Sequence, residues 1–157
     1  MSDNITSRPG YAALRRGRFS ENGRYYHITT VTYERTPWFF DLQTARAAII
    51  GLREQERQTD SQWLAWVLMP DHFHGLLQLG EMDELSRHIA QFKGRSAHII
   101  NCRQARNGPV WQRGFHDHAL RRDEDLKQVA WYIIANPLRA RLVGSIGEYP
   151  HWDAVWL

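Results

Sequence analysis

Residues 69 to 80 read MPDHFHGLLQLG and carry two histidines, His72 and His74, one residue apart at the head of an apolar run. On a strand alternate side chains share a face. The two imidazoles then project together and can converge on one divalent cation. Neutral imidazole suits a transition metal and also serves in mixed sites for magnesium or manganese. Such a site wants a further protein ligand. The segment DLKQVAWYIIANPLRA offers one, because Asn136 follows Tyr132 by four residues, one helical turn. An amide oxygen would thus lie beside a phenol. A metal near a phosphate stabilises charge that develops in the transition state, and a phenolate can attack phosphorus to give a covalent tyrosyl phosphate. Each motif alone has an ordinary alternative: surface histidines bonded to water, a half-buried packing tyrosine, an asparagine that ends a helix before Pro137. The combination is what points to phosphoryl chemistry. A second pair, His116 and His118 in FHDH, would share a face on a strand. Metal binding, proton transfer, packing and phosphate contact all remain open for it.

The elements that must position these residues follow from periodicity. Tyr25 to Tyr33 is β-branched and aromatic, which predicts a strand. Leu42 to Arg57 has helical spacing, with Ala45, Ile49 and Leu52 on one face. QWLAWVLM, from Gln62 to Met69, is apolar on both alternations, as a central strand is. Pro70-Asp71 is a turn, so His72 to Leu79 completes a hairpin. A second helix is expected over roughly 84–102, a fourth strand after Val110, and a third helix from Asp123 to about Asn136. Trp152 and Trp156 in the tail are expected to dock on the body. The order βαββαβ is that of a ferredoxin-like α+β domain, with an extra C-terminal helix carrying Tyr132. One domain spanning 1–157 is expected, with residues 1–24 as a basic arm.

Composition bounds the function. The 157 residues are 43% hydrophobic and 24% charged, with a formal net charge of +3, ordinary for a globular domain. One cysteine, Cys102, rules out an internal disulfide and a cysteine-rich zinc site. No signal-peptide pattern or membrane-length apolar run is visible, so a cytoplasmic protein is expected. Of the 20 basic residues only Lys93 and Lys127 are lysine. Arginine's planar fork matches phosphate, and Arg8, Arg15, Arg16, Arg18 and Arg24 crowd the first 24 residues. Such an arm can track a phosphate backbone.

Together PDHFHGLLQL, QFKGRSAHIIN, VWQRGFHDHALR and WYIIANPLRARLV resemble the single-tyrosine HUH transposases, and more closely the REP-associated tyrosine transposases. The resemblance runs from about Arg15 to the C-terminus. It implies a ferredoxin-like fold and a bacterial, nucleoid-associated enzyme that cleaves single-stranded DNA. Cleavage would leave a 5′-phosphotyrosine link and a free 3′-hydroxyl, with Tyr132 as nucleophile. It implies Mg2+ or Mn2+ held by His72, His74 and Asn136. It further implies recognition of DNA hairpins of REP-like palindromes by a monomer or homodimer. Arg15, Arg16, Arg18, Lys93 and Arg95 occupy positions expected to contact DNA.

Two other classes compete. A non-catalytic module could bind single-stranded nucleic acid on exposed sheet aromatics, here Tyr25, Tyr26 and Trp66. A metal hydrolase would use water as nucleophile and leave Tyr132 structural.

Overall fold

The computed structural model describes residues 21–157. Arg15, Arg16 and Arg18, with the rest of the expected arm up to residue 20, lie outside the described residues. Strand β1 spans Tyr25–Val31, helix α1 Leu42–Gln58, β2 Gln62–Met69, β3 His72–Gln78, α2 Leu85–Arg103, β4 His116–Ala119, α3 Leu126–Ile134, α4 Asn136–Arg139 and β5 Trp152–Ala154. The strands form one antiparallel sheet in the order β4-β1-β3-β2-β5. The first four have the order of a ferredoxin-like domain, and β5 extends the β2 edge.

Alternation along each strand divides the side chains between two faces. Tyr26, Ile28, Trp63, Phe73 and Leu77 face α1 and α2, where Leu52, Ile89, Phe92 and Ile100 complete a buried core. Val67, Leu76, Ala130 and Ile133 form a second, smaller core beneath α3 on the other face. The aromatic core is tight: Trp63 and Phe73 meet edge to face at 5.1 Å, and Phe73 lies 4.8 Å from Phe92. Gly75 is required there, since a Cβ would fall 2.4 Å from the Trp63 ring.

Local chemistry explains the element ends. Asp41 caps α1 by accepting from Thr44 N at 2.8 Å, and Asp125 caps α3 through Lys127 N and Gln128 N. The third helix is shorter than its periodicity predicts. It ends at Ile134, and Asn136 lies beyond the break, at the start of α4. Pro137 is the cause, because it has no N–H for the Ile133 carbonyl. The Asn136 side-chain amide donates to that carbonyl instead, at 3.0 Å. β1 also stops early. After Val31 the chain turns through Glu34 and Arg35, both at positive φ (54° and 56°), rather than extending to Tyr33. The tail contributes a strand that its periodicity does not announce. Trp152 sits in β5, half-buried, and donates from Nε1 to Ile146 O, while Trp156 stays 37% exposed.

Candidate active site

The face that carries α3 is polar along its β1, β3 and β4 half. Cross-strand partners project to the same side. Thr29 on β1 pairs with His74 on β3 and with His116 on β4. His27 pairs with His118. Five imidazoles therefore share one face: His27, His72, His74, His116 and His118. His72 and His74 share a face, as strand alternation predicts, and their rings lie 4.9 Å apart, edge to face.

Each ring of the pair is held at Nδ1. His72 Nδ1 bonds Asp71 Oδ1 at 2.6 Å. A carboxylate only accepts, so this nitrogen carries the hydrogen and Nε2 of the neutral ring keeps its lone pair. Asp71 is itself fixed. Its backbone carbonyl accepts from Thr32 N and Thr32 Oγ1, each at 2.9 Å, and its carboxylate pairs with Arg35 at 3.4 Å. Burial acts to raise the Asp71 pKa, but the bond and charge of His72, then Arg35, outweigh it and hold the carboxyl below its usual range. The turn through Glu34 and Arg35 is what brings that guanidinium to the carboxylate. His74 Nδ1 meets Thr29 Oγ1 at 2.9 Å. Burial, then the charges of His72, His27 and Arg139, push His74 down to about 3, so it stays neutral near pH 7. With Nδ1 engaged on both rings, each Nε2 is the nitrogen left to meet a divalent cation. Among the described residues no group of three or more His, Cys, Asp or Glu side chains is placed to hold a metal. A third protein ligand would therefore have to come from another residue type, such as an amide.

Tyr132 projects from α3 with 58% of its surface exposed. Its ring lies 6.3 Å from His27, edge to face, and His27 is 5.6 Å from His74. The tyrosine and the histidine pair thus meet through His27. The Nε2 of His27 is buried and has no hydrogen-bond partner among the described residues, and burial, then His118, lowers its pKa. Arg139 folds back from α4 over the tyrosine, with its guanidinium carbon 4.0 Å from the ring centroid and a 2.6 Å bond to the Tyr132 carbonyl. Asn136 commits its amide nitrogen to Ile133, which leaves the oxygen as the atom for a cation. Among the described residues no hydrogen bond joins Asn136 to His72 or His74.

The other expected site residues fall elsewhere. Lys93 and Arg95 lie on α2, across the sheet from the histidines. Lys93 Nζ donates to the carbonyls of Gln112 and Gly114, and burial pulls its pKa down to about 8. Arg95 bonds Gln58. His118 Nε2 is engaged by Glu124 at 3.0 Å. Two rings of the binding-module reading are misplaced for it: Tyr26 and Trp66 are 2% and 3% exposed and belong to the core. A second cluster, Ser61, Asp83 and His88, lies away from the histidine face. Ser61 Oγ and His88 Nδ1 both bond Asp83 Oδ2, at 2.7 and 2.6 Å. The serine therefore has no imidazole base, and the cluster is not a nucleophilic triad.

Sequence reasoning missed Asp71, Thr29, His27 and Arg139. Arg139 had a legible signal, since seven residues after Tyr132 is two helical turns on the same face. Thr29 and His27 had none, because strand register places them.

Three kinds of similarity bear on this site. The family model described as "Transposase IS200 like" matches residues 20–136. A REP-associated tyrosine transposase of Escherichia coli K12 is 26% identical over 143 residues, covering 83% of this chain and 80% of that protein. A protein of Haemophilus influenzae, provisionally named the same, is 29% identical over 147 residues, covering 85% and 80%. A solved structure described as a REP-associated tyrosine transposase bound to a REP hairpin superposes with a TM-score of 0.71 at 26% identity, covering 86% of this chain and 79% of that one.

Proposed function

The chain belongs to the IS200-like transposase family, and from that premise we propose that it cleaves and joins single-stranded DNA through a covalent bond to Tyr132. The observation that carries this reading is an exposed tyrosine packed against His27, next to the His72–His74 pair. The Tyr132 oxygen attacks phosphorus, the bond to the 3′-oxygen breaks, and a 5′-phosphotyrosine forms. The phenol gives up one proton and the departing 3′-oxygen gains one, so the products are the adduct and a 3′-hydroxyl. The P–O3′ bond is exchanged for a P–O bond to Tyr132, so the phosphorus remains a diester, and attack by a 3′-hydroxyl would reverse the step and join strands.

His72 and His74 would hold Mg2+ or Mn2+ through Nε2, with the Asn136 oxygen as third protein ligand. Bound there, the cation would polarise the phosphoryl group and neutralise developing charge. Asp71 and Thr29 keep the two rings oriented. The substrate is single-stranded DNA beside a hairpin, a reading supported by the superposed structure, which is described as bound to a REP hairpin. A single strand can bend its backbone to the sheet face, whereas a duplex holds it on a regular path. Arg15, Arg16 and Arg18 would add phosphate contacts.

The test is incubation of the protein and manganese with a hairpin that carries a single-stranded flank, followed by a denaturing gel. Wild type should give a covalent protein–DNA band, and Tyr132→Phe should give none while binding the hairpin with unchanged affinity. Cleavage by Tyr132→Phe at the wild-type rate would make water the nucleophile and end this reading.

A further inference from the structure

We propose that Arg139 is a catalytic residue that fixes Tyr132 for attack and binds the scissile phosphate. The inference rests on Tyr132 being the nucleophile. It starts from the end of α3, whose last carbonyls lack partners inside the helix. Trp131 O is taken by Ala135 N and Ile133 O by the Asn136 amide. Tyr132 O is taken by Arg139, whose guanidinium also covers the tyrosine ring at 4.0 Å. One side chain thus holds the nucleophile at both its backbone and its ring. His27 supports the ring edge-on from a second direction.

A structural cap would need only one N–H. Arg139 presents five donors and a full charge, and among the described residues no carboxylate lies within ion-pair distance of it. A cation therefore stacks on the ring of the nucleophile, beside which a phosphate must lie if the phenol is to attack it. The planar fork can take two phosphate oxygens at once, and its stacking on the ring sets the distance between that anion and the nucleophile. Arg139 itself exchanges no bond in the step. Its role is to orient the phosphodiester and to meet the charge that grows on the oxygens around phosphorus.

The experiment measures single-turnover adduct formation on the hairpin with a single-stranded flank, in manganese, with melting temperature and hairpin affinity recorded for each variant. Arg139→Ala should slow adduct formation by about 100-fold while hairpin affinity changes by less than about threefold. Arg139→Gln keeps a donor for the Tyr132 carbonyl without the charge, and should be as slow as Arg139→Ala with a wild-type melting temperature. Arg139→Lys keeps charge without the fork and should fall between. Millimolar guanidinium ion should restore part of the rate to Arg139→Ala and none to Tyr132→Phe. A wild-type rate in Arg139→Gln, or no guanidinium rescue of Arg139→Ala, overturns the proposal. If either occurs while Tyr132→Phe stays inactive, the nucleophile assignment survives and only Arg139 loses its role. Adduct formation by Tyr132→Phe would sink both.

Discussion

The two faces of the sheet are built from the same strands and do opposite things. Along β3, Phe73 and Leu77 point into an aromatic core under α1 and α2, while His72 and His74 point the other way. Along β1, Tyr26 and Ile28 alternate with His27 and Thr29 in the same manner. On the helix-covered side rings meet rings and polar groups are few. On the other side α3 covers the β2 and β5 half, and the β1, β3 and β4 half displays imidazoles and a threonine. The difference teaches how a small domain holds a precise polar site. Residues one position apart in the chain anchor the strand in a dry core, so the half-buried site residues inherit a rigid backbone.

The sharpest way to break that comparison is to mutate neighbours on opposite faces. Phe73→Ala should destabilise the protein by about 3–5 kcal/mol, through lost burial plus a cavity. His72→Ala and His74→Ala should each lower adduct formation by at least about tenfold, in keeping with loss of a cation's anchor, with melting temperatures near wild type. Thermal denaturation and the gel assay separate the two outcomes. If His74→Ala unfolded the chain as readily as Phe73→Ala, the division of labour between faces would be wrong.

Gly75→Ala tests the core face more gently, by crowding rather than emptying it. Its methyl would meet the Trp63 ring, buried and packed edge to face against Phe73, at a cost of about 1–3 kcal/mol. A melting temperature equal to wild type would show that Trp63 has room to move.

Titration sharpens the comparison, because both faces hold histidines that burial keeps below the ordinary imidazole value. Among them are His27 and His74 on one side and His88 on the other, where Asp83 pulls upward against burial and loses. The unfolded chain takes up protons on these rings as pH falls through about 6.5; the folded chain resists, for His74 down to about 3. Their contribution to stability is therefore full above about 6.5 and is lost as pH falls below it. The melting temperature should drop from about pH 7 to about pH 5, and a flat profile would show that the rings are solvated.

The smallest expected effect is at Lys93. Lys93→Met leaves the Gln112 and Gly114 carbonyls without their donor and should cost about 1 kcal/mol. If DNA runs only over the histidine face, the salt dependence of hairpin binding stays unchanged. A slope reduced by about one would show that the helix-covered face also meets phosphate.

Much of this was legible beforehand. The order of the first four strands follows from period-two and period-3.6 patterning with a Pro-Asp turn. Placing His72 and His74 on one face needs only strand alternation, and the link to Tyr132 comes from family motifs. The sheet edge formed by β5 was not legible, since three residues around Trp152 carry no readable period. The four-residue spacing from Tyr132 puts Asn136 one turn along a continuous helix, but Pro137 breaks the ladder and moves it into the next element.

What the sequence by itself determined is therefore the set of local periods and the identities of the reactive groups, because alternation and turn chemistry depend on neighbours in the chain. Tertiary structure alone decided which groups meet. Thr29 reaches His74 across 45 residues and Arg35 reaches Asp71 across 36. Those pairings depend on register between strands and on a turn with two left-handed residues, and both are set by how the core packs as a whole.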